Sequence, residues 1–129
     1  MEPFPDAPLV LIVDDNEKNL KLARDVLGAA GFRTLEAENG AEGIALAAEH
    51  LPDVILMDIR LPDMDGPDAT RALASEARTA RIPVVALSAL PLRHDRDWLL
   101  AAGFAGFLKK PIRIGEFPSQ VRSFCARGV

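Results

Sequence analysis

The sequence has little cysteine and no long hydrophobic run. Its single cysteine, Cys125, cannot form an internal disulfide and has no metal-ligand partners near it in the sequence. The longest apolar runs, such as Leu9–Val13 and Val54–Met57, are far too short to cross a bilayer. The first residues lack the basic and apolar regions of a secretory signal. We therefore expect no membrane span and a cytoplasmic location.

The chain also has no excess of positive charge. The chain has 15 Lys and Arg residues against 19 Asp and Glu residues, and its formal net charge is -4. Nucleic-acid binding uses many Lys and Arg contacts with phosphate, so this balance predicts no nucleic-acid partner. The three arginines within Arg71–Arg81 are separated by acids and alanines, as on a solvated helix face. With 129 residues, 49% of them hydrophobic, the chain is expected to form one domain with a single core.

Short apolar runs alternate with longer helical patterns five times along the chain. The predicted strands are Leu9–Val13, Phe32–Ala37, Asp53–Met57, Pro83–Leu87 and Ala105–Leu108. The predicted helices run from the candidate cap Asn16 to Gly31, and then over Ala41–Glu49, about Asp68–Arg78, about Leu92–Ala102 and about Gly115–Ala126. Pro118 must lie in the first turn of the last helix, because deeper it would remove a hydrogen bond. This alternation predicts an α/β fold with a doubly wound parallel sheet and helices on both faces.

Polar side chains follow four of the predicted strands, at the carboxyl ends where doubly wound sheets bind ligands. They are Asp14 and Asp15 after the first strand, Asp58 after the third, Ser88 after the fourth and Lys110 after the fifth. Three neighbouring carboxylates repel one another unless a cation is present, and Mg²⁺ favours a few carboxylates together with waters and phosphate oxygens. An aspartate can also cap a helix or a loop, but that alternative explains one aspartate better than three with a lysine. We therefore predict a Mg²⁺ site at this edge.

The chemistry available at this edge is phosphoryl acceptance rather than hydrolysis. The Lys110 ammonium, held before a proline, can reach Asp58 and neutralise a phosphoryl oxygen. Ser88 offers a hydroxyl that either donates to a phosphoryl group or caps a turn. No general base is apparent, because His50 and His94 fall within or at the ends of predicted helices. Asp58 is the best nucleophile available and would form an acyl phosphate.

Four segments, in this order and spacing, resemble receiver domains of bacterial two-component response regulators. They are Leu11–Asn16, Ile55–Gly66, Ala86–Ala89 and Phe107–Pro111. The resemblance covers about residues 8–127, which leaves 1–7 as a short N-terminal extension, and we expect no output domain. The chain looks most like the single-domain regulators of chemotaxis or the cell cycle. The resemblance also implies a five-stranded, flavodoxin-like sheet with the strand order 2-1-3-4-5.

The resemblance implies a role for each polar residue. Asp58 would accept a phosphoryl group, in phosphorelay signalling, from a phosphohistidine on a histidine kinase or histidine phosphotransfer protein. Ser88 and Lys110 would bind the phosphoryl oxygens, and the peptide bond between Lys110 and Pro111 would be cis. The Mg²⁺ ligands would be Asp15, Asp58, the main-chain carbonyl of Arg60 and, through water, Asp14.

The resemblance further implies a conformational switch. Ser88 would move toward the phosphoryl group and vacate space that Phe107 fills. This motion would change the face formed by the predicted fourth helix, fifth strand and fifth helix, where a downstream protein would bind. The protein would be a monomer or a weak phosphorylation-dependent dimer. It would not be an enzyme, apart from slow self-dephosphorylation at most.

Two prolines and one tryptophan depart from the family pattern. Pro91 could shorten or displace the predicted fourth helix, and Pro118 could delay the start of the last one. Trp98 in the fourth helix either packs against the core or serves as an anchor for a partner.

The residues fit other classes of protein less well. An aspartyl-phosphate phosphohydrolase commonly has a second aspartate two residues after the nucleophile, where this chain has Arg60. A phosphorylation-independent adaptor would have no need of the charged set, and a receiver excised from a larger regulator is a further alternative. A flavodoxin-like cofactor binder is discarded, because the acidic loop Asp14–Glu17 would repel a phosphate.

Overall fold

The structure, a computed structural model, describes residues 7–88, 97 and 100–125. Five strands form one sheet in the order β2-β1-β3-β4-β5, and all neighbouring strands are parallel. The strands are β1 (Leu9–Val13), β2 (Arg33–Ala37), β3 (Val54–Asp58), β4 (Val84–Ser88) and β5 (Gly106–Lys109). The predicted fold class and strand order are therefore confirmed.

The described residues contain four complete helices, which we number in chain order. They are α1 (Glu17–Ala29), α2 (Gly40–His50), α3 (Gly66–Ser75) and α4 (Phe117–Phe124). The helix predicted over Leu92–Ala102 falls largely outside the described residues, as do Pro91 and Trp98, although the described Asp97, Leu100 and Ala101 are helical. Among the described helices none has the length and apolar character required to span a membrane.

α3 starts and ends earlier than the sequence predicted, and α4 starts later. α3 ends at Ser75 rather than near Arg78, because the backbone of Glu76 is extended. The Thr79 hydroxyl then donates to the Leu73 carbonyl at 2.6 Å, which satisfies one of the carbonyls left free at the end of α3. α4 begins at Phe117 rather than Gly115, and Pro118 lies in its first turn, as predicted.

The core has one hydrophobic layer on each face of the sheet. On one face, strand residues such as Ile12, Leu56 and Leu87 pack with α1 and α4. On the other face, residues such as Leu11 and Met57 pack with α2 and α3. Burial on both faces explains why β1, β3 and β4 are continuous apolar runs rather than alternating ones. The layers hold the carboxyl ends of these strands in fixed positions.

Gly66 allows α3 to start directly against the end of β3. A Cβ atom at this position would lie 2.7 Å from the carbonyl oxygen of Asp58 and 2.9 Å from the Cα of Ile59. Both are backbone atoms, so relief requires the main chain beside Asp58 to move. We expect Gly66→Ala to lower the free energy of unfolding by about 1–3 kcal/mol, measured by urea denaturation. Gly115→Ala is the matched control, since a Cβ there meets nothing within 4 Å. Equal losses in both variants would contradict the close approach.

Candidate functional site

The polar residues singled out in the sequence lie at one edge of the sheet. Asp14 and Asp15 directly follow β1, Asp58 and Ser88 end β3 and β4, and Lys110 directly follows β5. All four strands are parallel neighbours, so their carboxyl ends meet.

Three carboxylates form the centre of the site. One oxygen from each of Asp14, Asp15 and Asp58 lies within 4.8 Å of the others. Asp14 is buried with 1% exposure, Asp58 is partly buried and Asp15 is exposed. Hard oxygen ligands grouped in this way suit a divalent cation, and the exposed Asp15 leaves the cluster open on one side. The cluster could therefore hold a metal ion.

Lys110 bridges two of the three carboxylates. Its Nζ lies 3.0 Å from Asp14 Oδ2 and 3.3 Å from Asp58 Oδ2. The Lys110 main-chain N–H donates to the Ser88 carbonyl at 2.8 Å, and the peptide bond to Pro111 is cis, as the resemblance implied. The sequence predicted a contact of Lys110 with Asp58 alone. The structure also shows a contact with Asp14, which is the shorter of the two.

Among the described residues, three hydrogen-bond donors hold the Asp14 carboxylate. Its Oδ1 accepts from the Asn16 N–H at 2.9 Å, and its Oδ2 accepts from Asn19 Nδ2 at 3.3 Å as well as from Lys110. A buried carboxylate requires such partners. Asn16 also caps α1, as predicted, by accepting from the N–H groups of Lys18 and Asn19. Asn19 was missed in the sequence, although its place in the first turn of α1 could have indicated it.

The surroundings of Asp58 favour the neutral, protonated form of its carboxyl group. Burial raises the pKa of the Asp58 carboxyl above its ordinary value, and the charge of Asp14 adds to this rise. The charge of Lys110 and the Arg60 N–H, which donates to Asp58 Oδ1 at 3.4 Å, act in the opposite direction and only partly offset the burial. Charging Asp58 therefore costs more in the folded protein than in water, and a bound cation would reduce that cost.

An open cleft of about 380 Å³ lies over these groups. Its lining residues are Asp15, Asp58, Ile59, Arg60, Leu87, Ser88 and Lys110. The cleft contains both an acceptor carboxylate and a lysine, so a small anionic group can approach Asp58 from solvent.

The remaining residues singled out in the sequence lie away from the cleft or outside the described chain. Phe107 is half-buried on β5, where it pairs with Ala86 of β4. His50 is exposed at the end of α2, and His94 lies outside the described residues. Cys125 is buried at the end of α4 and its Sγ donates to the Val121 carbonyl. None of these described side chains lines the cleft.

The raised pKa of Asp58 predicts a pH dependence of stability in metal-free buffer with EDTA. Because the folded pKa exceeds the unfolded value of 3.8, the folded state keeps this proton more tightly. The contribution of Asp58 to stability therefore falls as pH rises from about 3.8 through the folded pKa. Asp58→Asn should remove this fall, so the variant should gain stability relative to the wild type as pH rises. Urea denaturation across this window measures the difference, and a pH-independent difference would contradict the assignment. Asp25→Asn, on the exposed surface of α1, is the control.

Comparison of the sequence with known proteins identifies a family. The family described as response regulator receiver domain matches residues 10–122. The polar-differentiation response regulator DivK of Brucella anthropi is 39% identical over 115 residues, which cover 89% of this chain and 94% of that protein. DivK of Brucella ovis is 38% identical over the same length.

Solved structures show the same architecture. The receiver domain of the sensor histidine kinase PA1611 from Pseudomonas aeruginosa, which has a magnesium ion coordinated in its active-site cleft, superposes with a TM-score of 0.83 at 32% identity, over 92% of this chain and 97% of that one. A response regulator from Chloroflexus aurantiacus superposes with a TM-score of 0.86 at 26% identity, over 92% and 98%. Sequence and fold agree: the chain belongs to the receiver domains of two-component response regulators, which are signalling modules rather than classical enzymes.

Proposed function

We propose that this protein accepts a phosphoryl group on Asp58 from a phosphohistidine of a histidine kinase or histidine phosphotransfer protein. The observation that carries the proposal is the position of Asp58, whose partly buried carboxylate lies 3.3 Å from Lys110 Nζ beside two further carboxylates. Asp58 combines this cation partner with a pKa that burial raises above its ordinary value. Membership of the receiver family supports the same role.

The acid cluster is a suitable site for Mg²⁺. Its ligands would be Asp15, Asp58 and the main-chain carbonyl of Arg60, with Asp14 acting through water. The oxygens of Asp14 already accept from Asn16, Asn19 and Lys110, which supports the indirect role. When bound, Mg²⁺ would neutralise charge on the transferring phosphoryl group. A magnesium ion in the cleft of the related PA1611 receiver supports this choice of metal.

The transfer exchanges one bond to phosphorus for another. A carboxylate oxygen of Asp58 attacks the phosphorus atom, a P–O bond forms, and the P–N bond breaks so that its electron pair returns to the partner's imidazole. The Lys110 ammonium compensates charge on a phosphoryl oxygen, and the Ser88 hydroxyl donates to another. Both residues line the same cleft as Asp58, which supports these roles.

We also propose that Ser88 and Phe107 form the switch that follows phosphorylation. Phe107 pairs in register with Ala86, and Ser88 lies two residues further along β4. Residues two apart on a strand point to the same face, so Ser88 and Phe107 share one face of the sheet. A shift of Ser88 toward the cleft would therefore open space near Phe107 and alter the surface around β5 and α4 that a downstream protein would contact.

The test uses a small phosphoryl donor in place of the unknown kinase. Phosphoramidate or acetyl phosphate with MgCl₂ should add one phosphoryl group per chain, detected by intact-mass spectrometry, and EDTA should prevent it. Labelling that persists in EDTA would contradict the metal-assisted mechanism. Sustained turnover of an aryl phosphate would instead favour an enzyme. Light scattering of the labelled and unlabelled protein tests the proposed monomer or weak phosphorylation-dependent dimer.

A further inference from the structure

The loop between β3 and α3 is attached to the start of α2 by one side chain. The carboxylate of Asp63 accepts from the Gly40 N–H at 2.7 Å through Oδ1 and from the Ala41 N–H at 2.9 Å through Oδ2. These two hydrogen bonds lower the pKa of the Asp63 carboxyl, although Asp63 is exposed. The carboxylate is thus held in its ionised form, at the end of a helix that favours negative charge.

Asp63 completes the N-terminus of α2 together with Asn39. The Asn39 side chain accepts from the Glu42 N–H at 2.8 Å. Asp63 accepts from the N–H groups of the two residues before Glu42. These groups have no partner within the helix. One cap therefore comes from the helix's own segment, and the other comes from a loop 22 residues further along the chain.

The residue after Asp63 strengthens the attachment by packing. A Cβ atom at Gly40 would lie 2.5 Å from Met64 Cγ and 2.6 Å from Met64 Sδ. Glycine at the first position of α2 therefore lets the Met64 side chain lie directly on the helix backbone. Met64 also packs against the hydrophobic layer beneath α2 and α3.

The attached loop is the one that carries Arg60. Its base is closed by the Gly66 N–H, which donates to the Ile59 carbonyl at 2.6 Å, and by a bridge between Arg60 and Asp65. Asp63 lies within this closed loop, so its bonds to α2 fix the loop at a second point. A loop fixed at its base and at its tip has few orientations available to the carbonyl of Arg60.

We infer that Asp63 is a positioning residue for the metal site, which holds the loop so that the Arg60 carbonyl faces the carboxylate cluster. The inference rests on the proposed function, because it assumes that the cluster binds Mg²⁺. Without the hydrogen bonds of Asp63, the loop would lose conformational freedom when the ion binds, and this entropy cost would weaken binding. Residues that orient metal ligands commonly change metal affinity by 10- to 100-fold. For Asp63→Ala, which leaves every proposed ligand in place, we expect an increase of about tenfold in the Mg²⁺ dissociation constant.

The experiment is a MgCl₂ titration of the whole chain, followed in amide correlation NMR spectra at constant ionic strength. Asn39→Ala is the matched control, since it removes a cap from the same end of α2 without touching the loop. Both alanine variants should unfold at lower temperature, but only Asp63→Ala should lose Mg²⁺ affinity. Asp63→Asn keeps one acceptor oxygen and should show an intermediate dissociation constant, which provides a milder variant if Asp63→Ala folds poorly.

Labelling kinetics give a second readout. With phosphoramidate, Asp63→Ala should need more Mg²⁺ for half-maximal rate, whereas its rate at saturating Mg²⁺ should stay within about twofold of the wild type. Equal Mg²⁺ affinity in Asp63→Ala and the wild type, or equal losses in Asp63→Ala and Asn39→Ala, would overturn the inference and leave the proposed function intact. A wild-type protein that does not bind Mg²⁺ would overturn both.

Discussion

Asp58→Asn is expected to abolish labelling by phosphoramidate or acetyl phosphate, even with saturating MgCl₂. Asparagine keeps the size of the side chain and a carbonyl oxygen, but its amide is no longer a carboxylate nucleophile. We expect that Asp14 does not substitute for it. Asp14 is buried and already accepts from Lys110 and Asn19. We expect no phosphorylated species above background in the intact-mass spectrum.

The control for this loss is Asp25→Asn on the exposed surface of α1. It makes the same chemical change away from the cleft and should label like the wild type. Asp58→Asn should also remain folded at neutral pH, because it removes a carboxyl whose ionisation is disfavoured by burial. Labelling of Asp58→Asn at the wild-type level would refute the assignment of the acceptor.

Lys110→Met is expected to slow labelling by about 100-fold, as found when one positioned donor is removed from a site of developing charge. Methionine keeps the length of the apolar stem but has no ammonium. In Lys110→Met, the transferred group would lose the cation that lies 3.3 Å from Asp58 Oδ2 in the resting site. Labelling at saturating donor and MgCl₂, followed over time by mass spectrometry, gives the rate.

The same substitution should reduce stability, because Asp14 would lose its cation partner while remaining buried. Asp14 keeps its bonds to Asn16 and Asn19, so we expect a loss of about 1–3 kcal/mol in the free energy of unfolding. Lys109→Met is the matched control. Lys109 is the exposed neighbour of Lys110, so neither the labelling rate nor the stability should change much in this variant. Equal rates for the two methionine variants would contradict the role assigned to Lys110.

The central strands could be predicted from the sequence because they are buried on both faces. Continuous apolar runs identify β1, β3 and β4, and the structure moves their limits by at most one residue. The shift is systematic in β3 and β4, which extend by one residue into Asp58 and Ser88. Both residues keep a partner in the sheet, Leu87 and Lys109 respectively, so the ladder continues into the polar edge. Residue type alone had suggested that the strands end before these polar groups.

The grouping of the site residues followed from topology. Parallel neighbouring strands bring their carboxyl ends together, so residues far apart in sequence could be assigned to one edge. The contacts of Asp63 could not be assigned in this way. They depend on how its loop is oriented against the start of α2, and the sequence has no periodic signal for that orientation. The end of α3 was misplaced for a similar reason, since the Thr79 contact with Leu73 arises only after the chain turns.

The most direct measurement of the central claim is to locate the phosphoryl group on the chain. Protein labelled with phosphoramidate and MgCl₂ is reduced with borohydride, which converts an acyl phosphate to the corresponding alcohol, and is then digested and sequenced by tandem mass spectrometry. The account predicts reduction at Asp58, in the peptide that contains Met57 and Ile59, and no reduction when EDTA is present. Reduction at Asp14 or Asp15, or phosphate found on a serine or histidine with Asp58 unchanged, would contradict it.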